Sequence, residues 1–146
     1  MSKKARATYI IGTIAEELLK KRAIYADLMA LTKGIVERSK ANGGSTTYIS
    51  TGLAVTTGFA LALSKKTETM VNNLTPEVIE DFIKKYYERF LKQEGNFLGT
   101  WFNNGQWHID VSETFYYKEK ALELAKQREL IAIYDLNKGE IIYIPY

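Results

Sequence analysis

Cysteine is absent from the 146-residue chain, and histidine occurs once, at His108. The first absence excludes disulfides, thiolate zinc sites and a cysteine nucleophile. The second excludes every site that needs two histidine ligands, HExxH among them. Long apolar runs are missing too. The longest uncharged apolar stretch, Tyr48 to Leu63, is shorter than the roughly 20 residues a membrane helix needs, and it is broken by Thr, Ser and Gly. Near the start, Ile10 and Ile11 soon meet Glu16 and Glu17, so no secretory h-region forms. A cytoplasmic setting without a membrane is expected.

What remains is ordinary globular composition. Hydrophobic residues make up 46% and charged residues 25%, which removes disordered and collagen-like readings. The length suits one domain with one core. The expected organisation is a single domain over 1–146, with an N-terminal helical segment at 1–41 and an α+β body at 45–146. Net charge is +3, too mild by itself for a strong nucleic-acid binder. Most of the excess lies in residues 1–40, with Lys3, Lys4 and Arg6 at the start and Lys20, Lys21 and Arg22 further on.

Residues 7–40 read as a helix. Ile14, Leu18, Tyr25, Leu28, Met29, Thr32, Ile35 and Val36 keep roughly to one face, and Ala41-Asn42-Gly43-Gly44 is a stop. The segment 45–73 reads as strands, with Thr46 to Ile49 rich in β-formers and Phe59 to Ser64 alternating with period two. Lys65 and Lys66 mark a turn, and Glu68 to Val71 a short return strand. Thr75-Pro76-Glu77 announces a second amphipathic helix. Thr75 suits the N-cap, Pro76 the first helical position and Glu77 the positive helix end. Gly95 is the expected stop. The C-terminal third reads as ββαββ: strands near 97–102 and 107–112, a helix at 116–128, and strands at 130–134 and 141–144. The fold class is therefore α+β, an antiparallel sheet with a C-terminal ββαββ unit, covered by the long N-terminal helix and the second amphipathic helix.

Candidate chemistry is sparse. His108 and Asp110 share one face of a predicted strand, where a carboxylate-polarised imidazole is a general base in principle. Alternation with Trp107, Ile109 and Val111 instead assigns them to the solvent face. Ser112 follows in that row without the Gly-flanked elbow of a nucleophile. Asp110, Glu113, Asp135 and Glu140 are carboxylates near strand ends, but no spacing resembles a metal loop, and no metal or cofactor is expected. Ser45, Thr46 and Thr47 after Gly43-Gly44 offer hydroxyls to a phosphorylated ligand. The segment lacks both the lysine of GxxxxGK[ST] and the spacing of GxGxxG, and a helix C-cap followed by a strand explains it. Lys3, Lys4, Arg6, Lys20, Lys21 and Arg22 are the candidate nucleic-acid or partner contacts. Trp101 and Trp107 are assigned to the core. The first helix is expected to cover its own sheet; pairing with a second copy is the alternative.

The runs Asn96-Phe97-Leu98-Gly99-Thr100-Trp101, Trp107-His108-Ile109-Asp110-Val111-Ser112, Lys118 to Ala125 and Ile131-Ala132-Ile133-Tyr134-Asp135-Leu136 form a pattern. It resembles that of small proteins encoded by bacteriophages and prophages, with LGTW, LDVS, an EA-x-x-LA helix and a closing AI[YW]D-L. The likeness spans about residues 45–145 and leaves out the basic N-terminal segment. Here Trp107 and His108 stand where the pattern commonly has Tyr-Leu. The resemblance implies a phage or mobile-element origin, a host-cytoplasmic or virion setting, and no catalytic residue. The expectation is an accessory protein that binds a protein partner without catalysis. The alternatives are binding, sequestration or cleavage of a small nucleotide or phosphorylated ligand, and nucleic-acid binding through the N-terminal helix.

Overall fold

The structure, a computed structural model, describes residues 27–146. Lys3, Lys4, Arg6, Lys20, Lys21 and Arg22, with the expected helix before residue 27, lie outside the described residues. The described helix, α1, covers 27–42. It stops where the sequence says it should, because Gly43 takes a positive φ of 78° that favours glycine.

Eight strands follow: β1 (Gly44–Tyr48), β2 (Leu53–Ala54), β3 (Phe59–Ala62), β4 (Thr69–Val71), β5 (Phe97–Asn103), β6 (Gln106–Phe115), β7 (Ala132–Asp135) and β8 (Glu140–Tyr143). Helix α2 (Pro76–Tyr86) precedes β5, and α3 (Lys118–Gln127) joins β6 to β7. The strands form one antiparallel sheet in the order β2-β1-β5-β6-β3-β7-β8. β4 pairs with Trp107–Ile109 of β6, while β3 pairs with Ser112–Phe115 of the same strand. The fold class is α+β, as the sequence implies. The C-terminal third is not a self-contained ββαββ unit, however. β3 lies between the β5–β6 and β7–β8 hairpins, bringing Ala60 beside both Thr114 and Tyr134.

Local signals explain several elements. The Thr75 hydroxyl accepts from the Val78 N–H at 3.2 Å, and Pro76 occupies the first turn of α2. After Tyr86 the chain widens into a π-type turn at Tyr87–Leu91, so α2 itself ends well before Gly95. The β5–β6 turn places Asn104 at φ 51° and Gly105 at φ 77°, the geometry a two-residue hairpin needs.

The sheet is strongly curled. β8 stands four strand spacings from β5, which in a flat sheet is about 19 Å. Yet the Tyr143 hydroxyl donates to Asn103 Oδ1 at 2.9 Å. All three helices lie on the convex face. Ile35 and Val36 of α1 and Ile79, Phe82 and Ile83 of α2 pack with Leu98, Trp107, Ile109 and Val111. Each such side chain contributes about 1.5–3 kcal/mol on burial. Ala121 and Ala125 of α3 form a second cluster with Leu61, Leu130 and Ile133. Ser39 of α1, bonded to the Thr100 hydroxyl at 2.6 Å, ties that helix to β5. The first helix, over its described residues, therefore covers its own sheet.

Candidate functional site

The concave face of the sheet encloses a pocket of about 360 Å³, within the usual range for small-molecule sites. The register places Gly99 and Trp101 of β5 opposite Asp110 and His108 of β6. It likewise sets Met70 of β4 against His108 and Ala62 of β3 against Ser112. Paired residues of an antiparallel sheet point to the same side, so these residues share the concave side, and all but His108 line the floor and near wall of the pocket. Leu130 to Tyr134 and Ile141 close the far wall. Among the described residues, the walls are mainly apolar, and the polar groups converge on the floor.

Asp110, Ser112 and Glu68 line that floor, and His108 adjoins it through Glu68 and the Trp101 ring. Asp110 is 6% exposed, and its carboxylate accepts a very short hydrogen bond from the Ser112 hydroxyl. Burial pushes the Asp110 carboxyl up to about 7. The bond from Ser112 opposes that rise, and the negative charge of Glu68 adds to it. His108, 4% exposed, meets Glu68 through Nδ1···Oε1 at 2.6 Å. The Trp101 ring stacks on the imidazole with centroids 4.2 Å apart and planes inclined by 26°. Glu68 follows a 3₁₀ turn over Lys65–Thr67, fixed by Ser64 accepting from the Lys66 N–H at 3.1 Å. That turn also places Lys65 on the pocket lining.

Gly99 makes the floor possible. A Cβ there would stand 2.5 Å from Asp110 Oδ1 and 2.6 Å from Ser112 Oγ. The glycine of LGTW therefore admits two side chains of the neighbouring strand over β5.

Several sequence expectations change here. His108, Asp110 and Ser112 do not face solvent: all three are buried, because the sheet curls around the face they occupy. Trp101 is half-buried on the pocket lining, while Trp107 joins the core as expected. Of the three hydroxyl residues, Ser45 and Thr47 share one face, with hydroxyls 3.4 Å apart, and Thr46 points to the other. Thr46 lines the pocket, whereas the Thr47 hydroxyl accepts from Arg38 Nη2 of α1 at 2.9 Å on the opposite face. Of the four carboxylates near strand ends, Asp110 alone lines the pocket, and Asp135 and Glu140 stand opposite each other across β7 and β8. Glu113 pairs with Arg128 at 2.7 Å, and Asp135 caps the β7–β8 turn by accepting from the Asn137 and Lys138 N–H groups. Among the described residues, no cluster of His, Asp and Glu is arranged to hold a metal ion, and no helix is long and apolar enough to cross a membrane.

Sequence reasoning missed Glu68, Lys65, Met70 and the far wall. The available signal was Gly99, a glycine inside a strand, which marks close approach by a neighbour. Compared with family models, curated proteins and solved structures, the chain matches none.

Proposed function

We propose that this is a small-molecule binding protein whose ligand enters the concave pocket, with an apolar body on the walls and one polar head on the floor. The observation that carries the reading is the burial of Asp110 and Ser112 at the bottom of an apolar cavity, with His108 buried beside them against Glu68 and Trp101. Burying such groups is costly, and a sheet face without purpose would be filled by apolar side chains. A phosphorylated ligand is disfavoured, because Asp110 and Glu68 both present carboxylates, with Lys65 the cation on the lining. Sequestration of a small molecule suits a phage-type accessory role.

The single histidine provides the test. Phenethyl alcohol titrated into the protein is expected to shift the His108 imidazole resonance saturably and to raise the melting temperature by mass action. Met70→Trp, which places a bulky ring at the pocket rim, is expected to weaken both effects. If phenethyl alcohol, phenethylamine and phenylacetate all fail to produce a saturable shift, the reading is wrong.

A second reading, a protein partner, draws on the edge-to-face pair Tyr116 and Tyr117, exposed between β6 and α3. Aromatic anchors of this kind are common in interfaces. Replacing both with alanine is expected to abolish any salt-resistant partner captured by the wild-type protein; undiminished capture would assign that partner to another surface.

A further inference from the structure

The polar head of the ligand can be narrowed further. Among the described residues, the bond given to the Asp110 carboxyl comes from a neutral hydroxyl, that of Ser112. The ion pairs of this part of the chain, Lys84–Glu80, Lys92–Glu88, Arg128–Glu113 and His108–Glu68, all leave Asp110 aside. Its neighbour Glu68 carries negative charge toward it, raising the cost of ionising Asp110. A buried carboxyl in that position gains most from a cation delivered by the ligand. The adjacent wall has compatible chemistry, since Trp101, stacked on His108 through one face, also lines the pocket, and aromatic rings attract cations. An anion would meet two carboxylates, and a neutral head would leave the Asp110 charge uncompensated.

We propose that the head group seated on Asp110 is a protonated amine, with the apolar body of the ligand against Trp101, Met70 and Ile141. This inference rests on the pocket reading above. The ionisable groups facing Asp110 are Glu68 and His108, already paired with each other, Lys65 on the 3₁₀ turn, and Tyr134 on β7. Lys65 is exposed and opposes the amine from a water-screened position. The Tyr134 phenol, raised above its ordinary value by partial burial and then by Asp135, stays neutral. Asp110 titrates near neutrality, so amine binding is coupled to loss of its proton.

The experiment compares phenethylamine, phenethyl alcohol and phenylacetate, which share one apolar body. Each is titrated calorimetrically and through the His108 resonance at pH 8, 7 and 6. The amine is expected to bind about tenfold or more tightly than the alcohol at pH 8, the scale of a charge-assisted hydrogen bond, and the acid weakest. Amine affinity is expected to fall toward pH 6, by up to about tenfold per unit once Asp110 is protonated. Asp110→Asn is expected to bring the amine down to the level of the alcohol and remove that pH dependence. Lys65→Ala is expected to strengthen amine binding. Equal binding of amine and alcohol at pH 8, or preference for the acid, overturns the amine inference and leaves the pocket reading standing. Loss of amine binding in Lys65→Ala also overturns it. If none of the three probes binds, both readings fall together.

Discussion

The two faces of β6 are both buried, but for different reasons. Trp107, Ile109 and Val111 point to the convex side, where helices α1 and α2 cover them. His108, Asp110 and Ser112 point to the concave side, where no described helix lies and the sheet itself wraps around them. One row is dry and closely packed. The other is polar, internally bonded and open to a cavity. A strand with polar alternation is usually read as half solvated; here curvature supplies the burial that a second layer normally gives. Burial on the convex side serves stability, while burial on the concave side costs stability and shapes a site.

Ile109→Ala should separate the faces most sharply. Ile109 is fully buried, and truncating such a residue costs about 2–5 kcal/mol, through lost burial and the cavity left behind. Denaturant unfolding should show this loss at every pH where the protein is folded. A cost well under about 1 kcal/mol would mean that the convex row is less tightly packed than its zero exposure implies.

Gly99→Ala attacks the concave face through sterics. The new Cβ lies 2.5 Å from Asp110 Oδ1 and 2.6 Å from Ser112 Oγ, so both side chains must move, at about 1–3 kcal/mol. In an Asp110→Ala/Ser112→Ala background the obstructing atoms are gone and the penalty should largely vanish. A double-mutant cycle measures that coupling. Additive costs would show that the glycine serves the backbone and not the floor.

Much of the fold was legible because its signals are local. The Thr75-Pro76 cap and the Gly43 stop each act within a few residues, and each is where the sequence places it. The pocket was illegible because its causes are distant. Leu63 to Glu68 leaves β6 at Ser112 and the chain rejoins it at Ile109, so that β3 and β4 share an edge of that strand. Glu68 reaches His108 across 40 positions, and Tyr143 reaches Asn103 across another 40. Period-two alternation tells which residues share a face, yet it says nothing about whether that face is flat and wet or curled and enclosed. His108 and Asp110 were thus correctly assigned to one face and wrongly placed in solvent.

Asp110→Asn tests the claim that the concave face trades stability for a site. The folded carboxyl sits at about 7, against an ordinary value of 3.8. The native state therefore keeps a proton that the unfolded chain releases, and stability falls as pH rises between those values. Asparagine lacks this penalty. The variant should be more stable than the parent by about 1–3 kcal/mol at pH 8, with the difference fading below roughly pH 4. Equal stability at both pH values would mean that Asp110 is already compensated in the folded protein.

The smallest contrast sets two buried hydroxyls against each other. Ser39, fully buried on the convex side, donates to the Ile35 carbonyl at 2.6 Å and meets the Thr100 hydroxyl at 2.6 Å. Removing it leaves the buried Thr100 hydroxyl with only its longer bond to the Ser45 carbonyl, at 3.4 Å, so Ser39→Ala should cost about 1–2 kcal/mol. Ser112, 4% exposed, bonds Asp110 beside a cavity large enough to admit water. Near pH 5 Asp110 holds its proton, so the bond joins two neutral groups, and Ser112→Ala should cost under about 1 kcal/mol there. Its signature lies in the pH dependence. The Ser112 bond holds the Asp110 carboxyl down, so its loss pushes that group higher still and extends the fall of stability to higher pH. The concave hydroxyl should therefore be recognised by a displaced titration, and the convex one by a pH-independent loss. Two variants with the same pH-independent loss would show that the two faces of β6 are buried alike.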